Sequence, residues 1–161
     1  MKLLLVRHGE AVDAAEARTD QDRWLTDAGR RTVTTVGELL SRMELRYSVI
    51  YTSPLVRAVQ TAEILAATQP GFDGPVRIHR ALSTEEGTTA QALSPIDAAS
   101  PEDVFVMVGH MPKVGVLAAH LGRLVHAPVF GTSSVCLLTV EAGRGSPQWM
   151  LDPQTLEIRS F

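Results

Sequence analysis

The 161-residue sequence contains one cysteine, few aromatic residues and no long hydrophobic run. A lone cysteine cannot form an internal disulfide, which argues against a disulfide-stapled secreted domain. No stretch approaches the ~20 apolar residues of a membrane span, and Arg7 ends the apolar N-terminal run short of the roughly 7–15 residues of a signal-peptide core. These absences predict a cytoplasmic protein without a membrane segment, in which Cys136 is a buried packing residue.

The chain also lacks an excess of positive charge, because 18 acidic residues outnumber 15 lysines and arginines and leave a net charge of −3. A negative balance argues against nucleic-acid binding, so any basic feature must be confined to one cleft. The composition is that of an ordinary globular protein, and the length suits one domain. We therefore predict a single domain over residues 1–161.

Continuous apolar runs alternate with helical patterns along most of the chain. The runs lack polar alternation, which predicts strands covered on both faces. These strands are Leu3–Val6, Val49–Tyr51, Val76–Ile78 and Val104–Val108. Apolar residues at three- and four-residue steps predict helices at 33–43, 55–66 and 114–121, and Pro54 and Pro112 suit the first positions of the last two.

The C-terminal part has a different pattern. Ser134–Val140 and Gln148–Leu151 are apolar-rich runs separated by the polar segment 141–147, which predicts an antiparallel hairpin at a sheet edge. The fold class is therefore α/β: a three-layer α/β/α sandwich with a mainly parallel sheet and an antiparallel C-terminal hairpin. The long polar segment 10–23 could line or gate a site, or could be a solvated surface loop.

Cationic and imidazole side chains follow three of the predicted strands. Arg7, His8 and Gly9 follow the first strand, Arg57 follows the second and His110 follows the fourth. Because the carboxyl ends of parallel strands share one edge of a sheet, we expect these residues to converge. Two guanidiniums and two imidazoles beside helix N-termini suit a tetrahedral dianion such as phosphate. The arginines should also keep His8 neutral near pH 7.

The same segments resemble the histidine phosphatase superfamily, whose hallmark is an RHG motif followed by a second arginine and a second histidine. Five segments in order are similar to those of small bacterial phosphohistidine phosphatases of the SixA type. They are residues 7–11, 25–29, 52–62, 108–112, and 130–134 continuing to Gln148-Trp149. The resemblance extends over nearly the whole chain and implies a phosphoglycerate mutase-like fold.

The resemblance implies that His8 is the nucleophile, which forms a covalent phosphohistidine that water hydrolyses without a metal or other cofactor. Arg7, Arg57 and His110 would bind the non-bridging oxygens, and Gly9 would let the backbone pass close to the phosphate. The implied partner is a protein of phosphorelay or carrier type that bears phosphohistidine. A site without the lid insertion of some relatives suits such a substrate, and a P–N bond needs less help from an acid than an ester does.

Other interpretations remain open for the acidic residues and for the function. Phosphoesterases of the superfamily use a glutamate general acid after the third strand, and Glu85 and Glu86 lie there, either as that acid or in a solvated loop. Ser53, Thr132 and Ser133 could bond phosphate or only cap and turn the chain. The alternative functions are a phosphatase of a small phosphate monoester, which needs a working acid, and a non-catalytic phosphate-dependent binding module.

Overall fold

The computed structural model describes residues 1–161 and contains seven strands and four α-helices. The strands are β1 (Lys2–Arg7), β2 (Val49–Thr52), β3 (Val76–Ile78), β4 (Val104–Gly109), β5 (Val135–Glu141), β6 (Arg144–Leu151) and β7 (Ile158–Ser160). The helices are α1 (Asp27–Arg42), α2 (Val56–Thr68), α3 (Thr89–Leu93) and α4 (Lys113–Gly122), with 3₁₀ turns at Ala14–Glu16, Arg80–Leu82 and Ser94–Ala98. None of the helices has the length and apolarity needed to span a membrane.

All seven strands form one sheet in the order β3-β2-β4-β1-β5-β6-β7. The first four strands of the chain are parallel, and β5, β6 and β7 pair in antiparallel fashion. In the parallel part, Arg7 lies opposite Gly109 and Thr52 lies opposite Val108. The carboxyl ends of β1, β2 and β4 are therefore level with one another, and the predicted α/β fold is confirmed.

Helices cover both faces of the sheet because β1 alternates its side chains between two apolar cores. Leu4 and Val6 pack in the core that contains α1 and α2, whereas Leu3 and Leu5 pack in the core that contains α3 and α4. All four side chains are at most 1% exposed, and burying one such side chain contributes about 1.5–3 kcal/mol. Packing from both sides fixes the edge of the sheet on which the site lies.

The prediction that all four early strands are covered on both faces is wrong for β3. Val76 and Ile78 are 40% and 55% exposed, because β3 pairs only with β2 and forms one edge of the sheet. An edge strand packs against fewer neighbours, so a continuous apolar run does not by itself prove burial.

The C-terminal hairpin has a tighter turn than predicted. Strand β6 already begins at Arg144, since Ala142 and Gly143 have φ values of 48° and 73° and form a two-residue turn. Pro147 therefore lies within β6, opposite Leu138, where the strand register shifts at a bulge. A bulge tolerates proline because it interrupts the ladder of hydrogen bonds that needs the missing N–H.

The two prolines do not occupy the first helical positions that the sequence predicted. Helix α2 begins at Val56, two residues after Pro54, and α4 begins immediately after Pro112. The backbone N–H of Val56 donates to the carbonyl oxygen of Gln21 at 3.1 Å. The segment 10–23 thus contacts the start of α2, next to the residues of the site.

Candidate active site

The structure brings the four predicted side chains together at the carboxyl edge of the sheet. Arg7 and His8 lie at the end of β1, His110 follows β4, and Arg57 lies in the first turn of α2. The ring centroids of His8 and His110 are 4.8 Å apart, and Arg57 Nε donates to His8 Nε2 at 3.3 Å. Arg57, His8 and His110 are at most 8% exposed. The short strand ends and the first turn of α2 therefore build one buried cluster.

A backbone hydrogen bond fixes which nitrogen of His8 faces the site. His8 Nδ1 lies 2.7 Å from the carbonyl oxygen of Gly9, and because a carbonyl can only accept, Nδ1 must carry the proton. In the neutral ring, the lone pair then resides on Nε2, toward Arg57. The sequence alone did not indicate this choice of tautomer.

The pKa of His8 is lowered to about 4: burial is the largest cause, the hydrogen bond to Gly9 opposes it, and the positive charges of Arg57, Arg7 and Arg23 add to the lowering. A pKa near 4 keeps the imidazole neutral at pH 7. The prediction of a neutral His8 assigned this effect to the arginines, whereas removal from water is the larger cause.

Gly9 also has a packing role that the sequence did not predict. Its backbone N–H already donates to Thr61 Oγ1 at 3.0 Å, and its carbonyl accepts from His8. A Cβ built on Gly9 would lie 2.7 Å from Val33 Cγ2 and 3.1 Å from Leu25 Cδ2. Glycine is needed here because α1 packs closely against this turn. The carbonyl group of the same turn orients the His8 ring.

His110 is held by a hydroxyl group at the end of the neighbouring strand. Its Nε2 lies 2.8 Å from Ser53 Oγ, and Ser53 is fully buried after β2. Burial, the largest cause, together with the nearby His8 and Arg57 lowers the pKa of His110 to about 3. His110 is therefore a second neutral imidazole at pH 7. Ser53 Oγ positions it and also accepts from the backbone N–H of Leu55 at 3.4 Å, in the turn before α2.

Several buried polar atoms around His8 have no partner within the protein. Three of the four such side-chain atoms in the molecule are Arg7 Nε, His110 Nδ1 and Ser133 Oγ. Ser133 adopts a left-handed φ of 67°, and its N–H donates to the carbonyls of Arg7 and His8 at 3.1 and 3.0 Å. Unpartnered buried polar atoms and backbone strain both concentrate at functional sites. The cluster thus offers hydrogen-bonding groups to an anion.

Two residues that the sequence analysis missed, Asp20 and Arg23, complete the cluster. Arg57 Nη1 donates to the backbone carbonyl of Asp20 at 2.6 Å, and Nη2 donates to its Oδ2 at 2.9 Å. Arg23 Nη1 donates to the other carboxylate oxygen at 3.0 Å. The hydrogen bonds from Arg23 and Arg57 lower the pKa of Asp20 despite its partial burial. The segment 10–23 therefore lines the site, and its position after His8 was the only sequence signal.

The two candidate general acids lie at the rim. Glu85 and Glu86 line a cleft with Asp20 and are exposed. Their carboxylates make no hydrogen bond with the four clustered side chains, and the closest ion pair is Glu86 Oε1 to Arg80 Nη1 at 3.7 Å. Neither glutamate side chain makes a hydrogen bond or an ion pair with His8.

Residues 3–85 match the profile of the histidine phosphatase superfamily, branch 1. An uncharacterized protein from Picosynechococcus sp. is 40% identical over 71% of this chain and 69% of its own length. The phosphohistidine phosphatase SixA from Escherichia coli K12 is 27% identical over 98% of both chains. A solved structure of the protein histidine phosphatase SixA complexed with tungstate has a TM-score of 0.89 at 25% identity, covering 98% of this chain and all of the other.

An α/β sandwich with paired imidazoles and guanidiniums at its carboxyl edge, together with these relatives, defines a phosphatase. The chain belongs to the histidine phosphatase superfamily, and both its sequence and its fold are similar to those of SixA.

Proposed function

We propose that this phosphatase hydrolyses phosphohistidine on a protein, with His8 as the nucleophile. One observation carries the proposal: the bond from Nδ1 to Gly9 leaves the Nε2 lone pair of a neutral, buried His8 3.3 Å from the guanidinium of Arg57. A neutral imidazole with a fixed lone pair is a competent nucleophile, and an adjacent guanidinium can hold the phosphoryl group in line with it.

In the first step, the Nε–H of Arg57 gives up its hydrogen bond to His8 Nε2, and the freed lone pair forms a bond to phosphorus as the P–N bond to the substrate imidazole breaks. A substrate ring that carries a proton on its other nitrogen leaves as neutral imidazole, taking the electron pair of the broken bond. Arg7 and Arg57 bind the non-bridging oxygens, whose charge spreads during transfer, and His110 donates a further hydrogen bond. No residue has to supply a proton to the leaving group.

In the second step, water attacks phosphorus and the bond to His8 Nε2 breaks. The phosphorylated ring keeps its proton on Nδ1, where it is hydrogen-bonded to the Gly9 carbonyl oxygen. His8 therefore leaves as neutral imidazole with the electron pair on Nε2. The three phosphoryl oxygens and the water together make dihydrogen phosphate, which balances atoms and charge. One hydrogen bond thus prepares His8 both to attack and to leave.

The distribution of acids favours a phosphoramidate over an ester. Asp20 is the one carboxylate that contacts a clustered side chain, and its two hydrogen-bonded arginines favour the ionised form. Glu85 and Glu86 are exposed at the rim. An alkoxide leaving group needs a proton, whereas a protonated phosphohistidine ring does not. A protein-borne phosphohistidine of phosphorelay or carrier type is therefore the substrate class that we propose.

Two guanidiniums supply the positive charge that a metal supplies in other phosphatases, so we propose that turnover is metal-independent. Cys136 is a single, free and buried thiol, which fits a reducing compartment, and we propose a cytoplasmic location.

The experiment measures phosphate release from a histidine-phosphorylated protein domain, with and without EDTA. We expect fast release by the wild type in both conditions, none by His8→Ala, and wild-type release by the control His126→Ala, which removes an exposed imidazole. Substantial turnover by His8→Ala would exclude His8 as the nucleophile. Release from a small phosphate ester alone would support the monoester alternative, and phosphate binding without any turnover would support the binding module.

A further inference from the structure

The carboxylate of Asp20 lies between two arginines at the mouth of the site. It accepts from Arg57 Nη2 at 2.9 Å through one oxygen and from Arg23 Nη1 at 3.0 Å through the other. The backbone carbonyl of the same residue accepts from Arg57 Nη1 at 2.6 Å. Arg23 is itself anchored, since its Nε donates to the Val12 carbonyl at 2.7 Å. Asp20 therefore connects the segment 10–23 to the start of α2.

These contacts leave Arg57 a single orientation. Its three nitrogens have separate partners: Nε faces His8 Nε2, and the two Nη groups face the carbonyl and the carboxylate of Asp20. A free arginine side chain has about 2 kcal/mol of rotamer entropy, so fixing it before the substrate arrives removes that cost from the reaction. Asp20 supplies two of the three contacts.

The same carboxylate also limits the attraction of the site for anions. It is one negative charge hydrogen-bonded to two of the cations that surround His8. A phosphate dianion that binds Arg57 must share this guanidinium with Asp20. The Asp20 side chain is 52% exposed, whereas that of Arg57 is 6% exposed, so the carboxylate adds little to the packing of the core.

We propose that Asp20 is a positioning residue that orients Arg57 against His8 and weakens the binding of phosphate. The proposal rests on the proposed roles of His8 and Arg57. Asp20 then has two separate effects. Its hydrogen bonds to Arg57 accelerate phosphoryl transfer, and its negative charge helps the phosphate product to leave. A purely structural residue would not separate the two.

The test compares Asp20→Ala and Asp20→Asn with Asp22→Ala as a matched control. Asp22 is two residues away in the same segment, and its carboxylate accepts from Thr19 Oγ1 and pairs with no arginine. Binding of inorganic phosphate is measured by calorimetry, turnover with a histidine-phosphorylated domain, and thermal unfolding for all variants.

For Asp20→Ala, we expect the Kd for phosphate to fall about fivefold and kcat to fall about tenfold, because a charge is removed and Arg57 loses the carboxylate that fixes its Nη2 group, keeping only the backbone carbonyl of residue 20 and His8. Asp20→Asn keeps an acceptor oxygen for Arg57 but not the charge, so it should bind phosphate as tightly as Asp20→Ala while recovering most of kcat. Asp22→Ala should match the wild type in both quantities.

Unchanged or weaker phosphate binding by Asp20→Ala would overturn the proposal, and so would equal losses of kcat in Asp20→Ala and Asp22→Ala. A parallel loss of phosphate affinity and thermal stability would show a structural role instead. The calorimetric result does not depend on the substrate. If the wild type fails to hydrolyse phosphohistidine, tighter phosphate binding by Asp20→Ala and Asp20→Asn still supports the charge effect, and its absence still refutes it.

Discussion

Acidification should destabilise this protein through its two buried imidazoles. In the unfolded chain, His8 and His110 take up protons near their ordinary pKa of 6.5, whereas in the folded protein burial lowers the pKa values to about 4 and about 3. Below pH 6.5 the unfolded state therefore binds more protons than the folded state. The free energy of unfolding must fall as the pH falls through this window, until it levels off below the folded pKa values.

The size of the effect follows from the two pKa values. Each pKa unit corresponds to about 1.4 kcal/mol. Between pH 7 and pH 5, the unfolded His8 becomes almost fully protonated while the folded His8 stays neutral, which lowers the free energy of unfolding by about 2 kcal/mol. His110 contributes a similar amount, so the two together lower it by about 4 kcal/mol.

Urea unfolding at pH 7, 6 and 5 measures this loss, in a phosphate-free buffer because a bound anion would stabilise the folded state. His8→Gln and His110→Gln place a neutral side chain at each position, and each should remove about half of the pH-dependent loss. His126→Gln, which replaces an exposed imidazole, is the reference. If the free energy of unfolding falls by the same amount between pH 7 and pH 5 in His8→Gln and in His126→Gln, the conclusion that His8 stays neutral in the folded protein is refuted.

Two further predictions concern the rim and the turn after β1. Glu85→Ala and Glu86→Ala should leave the rate of phosphohistidine hydrolysis within about twofold of wild type, because neither carboxylate makes a hydrogen bond or an ion pair with the clustered side chains. A loss of tenfold or more in stopped-flow assays would mean that one of them is the general acid. Thr61→Val should cost about 1–3 kcal/mol in urea unfolding, because it leaves the buried N–H of Gly9 without its acceptor, and an unchanged midpoint would contradict that.

The convergence of the site was predictable because it depends on a general property of parallel sheets. Once Arg7 and His110 were placed after two buried strands, their proximity followed from the shared carboxyl edge, and β1 and β4 are indeed neighbours. Strand ends were predictable to within one residue for β1 and β2, because the apolar runs stop where the polar residues begin.

The elements that were missed are short and depend on their neighbours. Strand β7 has three residues and exists through its pairing with the end of β6. Helix α3 has five residues, but its capping box of Thr88 and Gln91 is a signal that the sequence contains.

The contact between Asp20 and Arg57 could not be predicted from the sequence. The two residues are 37 positions apart, and an aspartate in a polar loop is most often solvated. The orientation of the His8 ring could not be predicted either, because the hydrogen bond from a side chain to the carbonyl of the next residue depends on the backbone angles of the turn. Such contacts are set by tertiary structure rather than by residue pattern.

The most direct test of the account is to trap the covalent intermediate. The wild-type protein is mixed with a domain carrying labelled phosphohistidine, quenched with alkali within milliseconds and mapped by mass spectrometry. We expect a transient phosphoryl group on His8 whose formation and decay are each at least as fast as turnover. Turnover without label on His8, or label on another residue with the same kinetics, would contradict it.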